Sequence, residues 1–195
     1  MKLATPLGKD GFLALLKQTG IRFAPVTGLE RPPGPPTSFK AVGKDLKVDL
    51  LVPGRLNSKP YATVSVPELG AHATSLPFLD YLLQAPWPGL AGGRDHLIPI
   101  AIPQPARYAL HKLVIAGLRG GAENPKIEKD LTQAGILAAI LAQEDPSALE
   151  DAAAKLTPSM RRHAVKSLPR WTGEIMGEEH AGAAQLVADL LGLAP

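Results

Sequence analysis

The chain has 195 residues, no cysteine, and 21 Lys and Arg against 18 Asp and Glu, which gives a net charge of +3. The lack of cysteine excludes disulfide bonds, thiolate metal sites and a cysteine nucleophile from this chain. A charge balance this mild neither requires nor excludes a nucleic-acid partner.

The beginning of the chain carries no recognisable export signal. Lys2, Lys9 and Asp10 fall within the first ten residues, and no apolar core of a signal peptide lies among them. No apolar run approaches the roughly 20 residues that a membrane-spanning helix requires. We therefore expect a cytoplasmic protein that has no membrane partner.

The first elements are predicted to be short. A helix is predicted over 11–19, with Asp10 as its N-cap and Gly20 as its left-handed stop. Residues 21–26 predict a short strand. The proline-rich run 31–36 predicts a stiff loop that serves as a connector, and the alternative is a ligand for a proline-binding partner.

Two paired strands are predicted next, over 38–42 and 46–52, joined by a turn at 43–45. In the second strand, alternation places Val48 on one face and Asp49 on the other. Beyond them the pattern predicts three further elements. They are a strand over 61–66, a short helix over 76–84 and a strand over 97–102.

From residue 105 onwards the chain is rich in Ala and Leu, and helices are predicted. One runs over 105–118, with Pro105 in its first turn, and the next begins near Pro125. Further helix starts are predicted at 145–147 and 157–159, and a last helix is predicted over 178–193. These patterns predict an α/β (α+β) fold, in which residues 1–104 form a small mixed sheet with flanking helices and residues 105–195 form a helical C-terminal region.

Asp49 is the first candidate functional residue, because it lies within an apolar strand. A buried carboxylate is costly unless it is paired or bound to a cation, so Asp49 is a candidate metal ligand in a cleft. The alternative is a strand-edge carboxylate that faces solvent. One carboxylate does not make a two-metal site, which needs several carboxylates from neighbouring strands.

Two charged helix segments supply the other candidates. Arg107, His111 and Lys112 lie in the first turns of one helix, where cations oppose the helix dipole. An anionic ligand at that end would explain them, and ordinary surface charge is the alternative. Lys126 and Asp130 are four residues apart on the next helix, and a solvated amphipathic face is the alternative there.

Four segments with these residues follow one another in a fixed order. They are Val48-Asp-Leu-Leu-Val-Pro53, Phe78-Leu-Asp-Tyr-Leu-Leu83, Ile102-Pro-Gln-Pro-Ala-Arg-Tyr-Ala-Leu-His-Lys-Leu113 and Lys126-Ile-Glu-Lys-Asp-Leu-Thr-Gln-Ala134. In this order the segments resemble bacterial nucleotidyltransferase-fold proteins related to the AbiEii-type toxin nucleotidyltransferases. The resemblance covers roughly residues 3–141.

The resemblance implies a chemistry and a set of roles. Enzymes of this kind hold two divalent cations, usually Mg²⁺, with three carboxylates, and transfer a nucleotide from an NTP to a hydroxyl of a nucleic acid, such as RNA, or of a protein. Asp49 corresponds to the third carboxylate, as a catalytic and metal-binding residue. The nucleotide-binding residues are then Lys112, Lys126, Asp130, Arg107 and His111.

The chain departs from this pattern at its start. The family's first two carboxylates form an Asp-x-Asp pair on an earlier strand, whereas Met1 and Lys2 stand in that place here. We therefore expect a truncated or degenerate member that does not catalyse transfer as it stands. The alternative function is an inactive remnant that binds a nucleotide or a protein partner, and its unpaired sheet edge would favour a homodimer.

Overall fold

The structure is a computed structural model. The chain consists of two compact units, and the boundary between them follows Asp80. The units are Met1–Asp80 and Tyr81–Pro195, so residue 104, the boundary expected from the sequence, falls inside the second unit. The residues described are 11–26, 34–54, 61–93, 95–119 and 124–193. The first half of the proline-rich run 31–36, residues 31–33, lies outside these residues.

A three-stranded antiparallel sheet and a short helix form the first part of unit one. The helix is α1 (Gly11–Lys17), and the strands, in sheet order, are β1 (Phe23–Val26), β2 (Ser38–Ala41) and β3 (Lys47–Asp49). Leu16, Phe23, Phe39 and Ala41 form the buried core between helix and sheet. The predicted helix at 11–19, the strand at 21–26 and the pairing of the two following strands are confirmed.

A second sheet of three strands completes unit one. Its central strand, β6 (Ala71–Pro77), pairs in parallel with β4 (Leu51–Gly54) and antiparallel with β5 (Thr63–Val66). A single 3-10 turn, Pro67–Leu69, joins β5 to β6. The sheet is therefore mixed, as the sequence predicts.

The predicted strand 46–52 is wrong as one element, because the chain changes sheets at Leu50. The N–H of Leu50 donates to the Thr37 carbonyl at 2.9 Å, whereas its own carbonyl accepts from the N–H of Thr74 at 2.8 Å. Residues before Leu50 thus belong to β3 and residues after it to β4. The predicted helix 76–84 is also shorter, because residues 76 and 77 end β6 and the helix, α2, is Leu79–Leu83.

The second unit consists of one hairpin and a set of helices. The hairpin strands are β7 (Trp87–Gly92) and β8 (Leu97–Ile102), which pair antiparallel. The helices are α3 (Pro105–Leu118), α4 (Pro125–Glu144), α5 (Pro146–Ala154), α6 (Pro158–Arg170) and α7 (Ala181–Leu190). A π-helical turn, Trp171–Ile175, and a 3-10 turn, Glu178–His180, lie between the last two helices.

Proline and a polar cap set the start of most of these helices. Each of α3, α4, α5 and α6 has proline at its first position, where the missing N–H has no helical partner to lose. Asn124, Asp145 and Thr157 then cap the last three through their side-chain oxygens. The predicted starts near 105, 125, 146 and 158 are therefore confirmed.

Helix α3 is the centre of the second unit and packs against α4, α5 and α6. Leu110 and Val114 of α3 and Leu131 of α4 are fully buried. Trp171 is also buried, and its indole N–H donates to the Leu131 carbonyl at 3.2 Å. These contacts fix α3 against α4, where two of the candidate charged segments lie.

The β7–β8 hairpin is apolar and exposed. Leu90 and Leu97 show 64% and 70% of their surface to solvent. The Gly93 N–H donates to the His96 carbonyl at 2.8 Å, which shows that Gly93 and His96 form a hydrogen-bonded pair of the hairpin. Because hydrogen-bonded and non-hydrogen-bonded pairs alternate along antiparallel strands, Pro88 and Pro99 fall in non-hydrogen-bonded pairs, where a backbone N–H would point away from the partner strand. Each outer edge thus lacks one donor, which disfavours the addition of another strand.

The described helices include none that is both long enough and apolar enough to cross a membrane.

Candidate functional site

Asp130, a buried carboxylate on α4, binds two cations: Lys112 on α3 and Arg119 directly after α3. Lys112 Nζ lies 2.7 Å from Asp130 Oδ1, and Arg119 Nε lies 3.0 Å from Asp130 Oδ2. The Asp130 side chain is only 6% exposed, whereas those of Lys112 and Arg119 are 20% and 27% exposed. We call Lys112, Arg119 and Asp130 the Asp130 cluster.

The charge of the Asp130 cluster is not balanced. Two cations and one carboxylate give 2 − 1 = +1, and the carboxylate is the most buried of the three groups. Asp130 therefore positions both cations while they keep part of their surface in solvent. A lysine next to an arginine, with excess positive charge, is an arrangement that suits phosphate oxygens.

A neighbouring tyrosine helps to orient Lys112. The Lys112 ammonium lies 5.1 Å from the centroid of the Tyr108 ring, one helical turn earlier on α3. The Tyr108 hydroxyl in turn donates to Oε1 of Gln133 on α4 at 3.3 Å. The ring face attracts the ammonium, so Lys112 is held by Asp130 and by Tyr108 together.

The sequence predicted part of this cluster. Lys112 and Asp130 were both candidate nucleotide-binding residues, and the structure pairs them directly. Arg119 was missed, although it directly follows the last residue of α3 and lies seven residues, about two helical turns, after Lys112. Lys126 lies exposed in the first turn of α4, where its backbone N–H donates to Asn124 Oδ1.

Arg107 is buried and bound to α2 and the segment that follows it. Its Nη1 donates to the Tyr81 carbonyl at 3.0 Å and to Gln84 Oε1 at 3.4 Å, and its Nε donates to Gln104 Oε1 at 3.3 Å. The guanidinium also lies 4.9 Å from the Tyr81 ring centroid. These contacts explain a cation in the first turn of α3 without an anionic ligand.

His111 and Tyr81 are both buried residues of the second unit. His111 is buried within α3, one turn after Arg107. Burial raises the pKa of the Tyr81 hydroxyl, and the nearby Arg107 opposes the rise. The Tyr81 hydroxyl donates to the Ala152 carbonyl at 2.9 Å, so α2 is tied to α5 as well as to α3. A nucleotide-binding role for Arg107 and His111 stays a prediction.

Asp49 is at the end of β3, on the face opposite its core. Its Oδ1 lies 2.8 Å from Lys47 Nζ and accepts a hydrogen bond from the Ser38 hydroxyl on β2. The side chain is 43% exposed, whereas Val48 packs against the core of the first unit. The expectation of a buried carboxylate was wrong, because alternation turns Asp49 outwards when Val48 turns inwards. Its catalytic and metal-binding role stays a prediction.

The hydrogen bonds from Lys47 and from Ser38 hold the pKa of Asp49 below its ordinary value of 3.8. A lowered pKa of Asp49 stabilises the fold at pH values above 3.8, and this contribution is lost as the pH falls through the pKa of the folded state.

Because Lys47 contributes to the lowered pKa, Lys47→Gln is expected to raise the pKa of Asp49 towards 3.8. A carboxyl NMR titration measures it. Lys44→Gln, in the turn before β3, is the control, and an unchanged Asp49 pKa in Lys47→Gln would contradict the assignment.

The described residues around Asp49 do not fit a two-metal site. Its surroundings supply one carboxylate, one hydroxyl and a lysine ammonium, which competes with a cation for the carboxylate. In the described part of the chain, no three His, Asp or Glu side chains are grouped so as to hold a metal ion. A site for two Mg²⁺ ions needs several converging carboxylates, so we derive no step through a metal.

Comparison with known proteins identifies a family. The family model described as "Nucleotidyltransferase" matches residues 2–158, which is most of the chain and includes both β sheets of unit one and the Asp130 cluster. No curated protein and no solved structure matches the chain.

Proposed function

Because the chain belongs to the nucleotidyltransferase family, we propose that it binds the triphosphate of an NTP at the Asp130 cluster. The corresponding reaction is transfer of a nucleotide to a hydroxyl of a nucleic acid or a protein. The observation that supports this proposal is the excess positive charge of Lys112 and Arg119 around one buried carboxylate. The resemblance to AbiEii-type toxin nucleotidyltransferases supports RNA or a protein as the acceptor.

Lys112 and Arg119 have distinct parts in this binding. The ammonium of Lys112 is a compact charge with three donors, of which Asp130 Oδ1 takes one. The guanidinium of Arg119 uses Nε towards Asp130 Oδ2, and its two terminal nitrogens are suited to a second, bidentate contact. The cluster thus binds phosphate oxygens, orients the triphosphate and offsets part of its charge.

For the transfer reaction, the predicted catalytic carboxylate is Asp49 of the first unit. Its carboxyl group is ionised at neutral pH, and its lowered pKa extends the ionised form further into the acidic range. Mg²⁺ is the cofactor expected for the family, and a single carboxylate beside the Lys47 ammonium does not fit a two-metal site. The described residues hold this single carboxylate in place through Lys47 and Ser38.

The second candidate function is nucleotide binding without transfer. The ion pair between Lys47 and Asp49 favours it, because the ammonium, 2.8 Å from Asp49 Oδ1, competes with a metal ion for that carboxylate. In this case the Asp130 cluster still binds a triphosphate. The two candidates therefore share the binding step and differ in the chemistry that follows.

A label-transfer experiment separates the two candidates. The purified chain is incubated with Mg²⁺ or Mn²⁺, each labelled NTP, and bulk RNA or protein as the acceptor. Transfer that Asp49→Asn abolishes, and that Asp45→Asn in the exposed turn before β3 retains, supports nucleotidyl transfer. Binding of NTP without transfer supports the second candidate. Transfer that survives both Asp49→Asn and Lys112→Gln would overturn the site assignment.

A further inference from the structure

A small cavity lies in the second unit, and none of its lining residues belongs to the Asp130 cluster. Its volume is about 200 Å³, and it is formed by the start of β7, the start of α3, the end of α4 and the first turns of α5. The lining residues are Trp87, Gln104, Pro105, Ala106, Leu141, Asp145, Ser147, Ala148 and Asp151. The lining therefore combines one large aromatic ring with two carboxylates and carries no cation.

The two carboxylates of this cavity are available to a ligand in different ways. Asp145 caps α5, and the Ser147 hydroxyl and the Ala148 N–H both donate to its Oδ1. Its hydrogen bonds with described residues thus fall on one oxygen. Asp151 is exposed, and it forms no ion pair with any residue that the structure describes.

The aromatic wall of the cavity is Trp87, whose side chain is half exposed. The face of an indole ring attracts a cation more strongly than any other side-chain ring does. The two carboxylates that line the same cavity attract the same kind of charge. The lining is therefore complementary to a cation that also has an apolar stem, because the apolar residues Leu141, Ala106 and Pro105 line the cavity as well.

We propose that this cavity binds an alkyl ammonium group, either the side chain of a lysine in a peptide or a free aliphatic amine. The cavity is smaller than the roughly 300–1,000 Å³ of sites for drug-sized ligands. It thus admits a single side chain or a small amine and excludes a nucleotide. The site is separate from the proposed triphosphate site, which has the opposite charge.

The two tryptophans of the chain allow a direct measurement. Trp87 lines the cavity, whereas Trp171 is fully buried with its indole N–H bonded to the Leu131 carbonyl. Titration with butylammonium is expected to shift the indole N–H resonance of Trp87 in an NMR spectrum and to leave that of Trp171 in place. The Trp87→Phe variant assigns the Trp87 resonance, because it removes that indole N–H from the spectrum. 1-Butanol and acetate are the uncharged and anionic probes.

Three variants test the charges. Asp151→Asn, and Asp145→Asn with its capping oxygen kept, are each expected to weaken butylammonium binding about tenfold. Glu150→Gln is the matched control, because Glu150 is an exposed carboxylate of α5 that does not line the cavity. Equal binding of 1-butanol, an equal loss in Glu150→Gln, or an unmoved Trp87 resonance would each overturn the proposal.

A second titration distinguishes the two sources of the ammonium group. N-acetyl-lysine N-methylamide carries the same group on a peptide backbone. If it binds more tightly than butylammonium, the site takes a lysine side chain of a protein or peptide. If butylammonium binds more tightly, the site takes a free amine.

Discussion

Gly117→Ala is expected to lower the free energy of unfolding of the protein by about 3 kcal/mol or more. A β-carbon at this position in α3 would lie 1.8 Å from the carbonyl oxygen of His163 in α6. The obstacle is backbone, so no rotation of a side chain relieves it. The substitution must therefore separate α3 from α6, and α3 is the helix that carries Lys112.

Urea denaturation followed by circular dichroism measures this effect. Gly182→Ala is the matched control, because a β-carbon at Gly182 in α7 meets nothing within 4 Å. Its stability is expected to be unchanged or higher by up to about 1 kcal/mol, since alanine favours a helix over glycine. Equal stabilities of the two variants would contradict the close contact of α3 with α6.

Asp130→Asn is expected to cost about 2–4 kcal/mol of stability, because it leaves Lys112 and Arg119 next to each other without their shared anion. Asparagine keeps the shape of the side chain, removes its charge and replaces one of its two acceptor oxygens by a donor. The cations are partly exposed, which keeps the cost below that of a fully buried pair. The same denaturation experiment measures it.

Two further variants make the Asp130 result specific. Glu128→Gln, an exposed carboxylate on the same helix, is expected to change stability by less than about 0.5 kcal/mol. The double variant Asp130→Asn/Lys112→Gln is expected to recover part of the loss, because one uncompensated cation is gone. If Asp130→Asn matches Glu128→Gln, the cluster does not stabilise α3 against α4.

The helical part of the fold could be predicted from the sequence because its signals are local. Prolines 105, 125, 146 and 158 mark the first position of four helices, and three of these helices have a capping residue directly before the proline. Such signals depend on a few neighbouring residues. Tertiary contacts do not need to be known for them to be read.

The sheets were harder to predict, because the strands depend on partners far along the chain. β7 has the sequence WPGLAG, in which glycine and proline suppress any strand pattern, and it is a strand because β8 pairs with it. The change of sheet at Leu50 depends likewise on Thr37 and Thr74. Both Thr37 and Thr74 are distant from Leu50 in the sequence, so the hydrophobic periodicity around Leu50 does not indicate these contacts.

The candidate site shows the same division. Lys112 and Asp130 were identified from their helices, but their shared contact with Arg119 needs the packing of α3 on α4. Arg107 has the same charge and a similar position, yet it binds the Tyr81 carbonyl in the interior. The sequence predicted nucleotide binding for both Lys112 and Arg107, because it does not show which of the two side chains donates a hydrogen bond to a buried carbonyl.

The central claim is that the Asp130 cluster binds the triphosphate of an NTP. Equilibrium binding of each NTP, with Mg²⁺ present, tests it most directly in the folded chain and in Lys112→Gln and Arg119→Gln. We predict that each substitution weakens binding about tenfold, because each removes one charge-assisted contact with phosphate. Lys129→Gln, an exposed lysine of α4, is predicted to bind as the unaltered chain does. Affinities that are the same in all four proteins would contradict the claim.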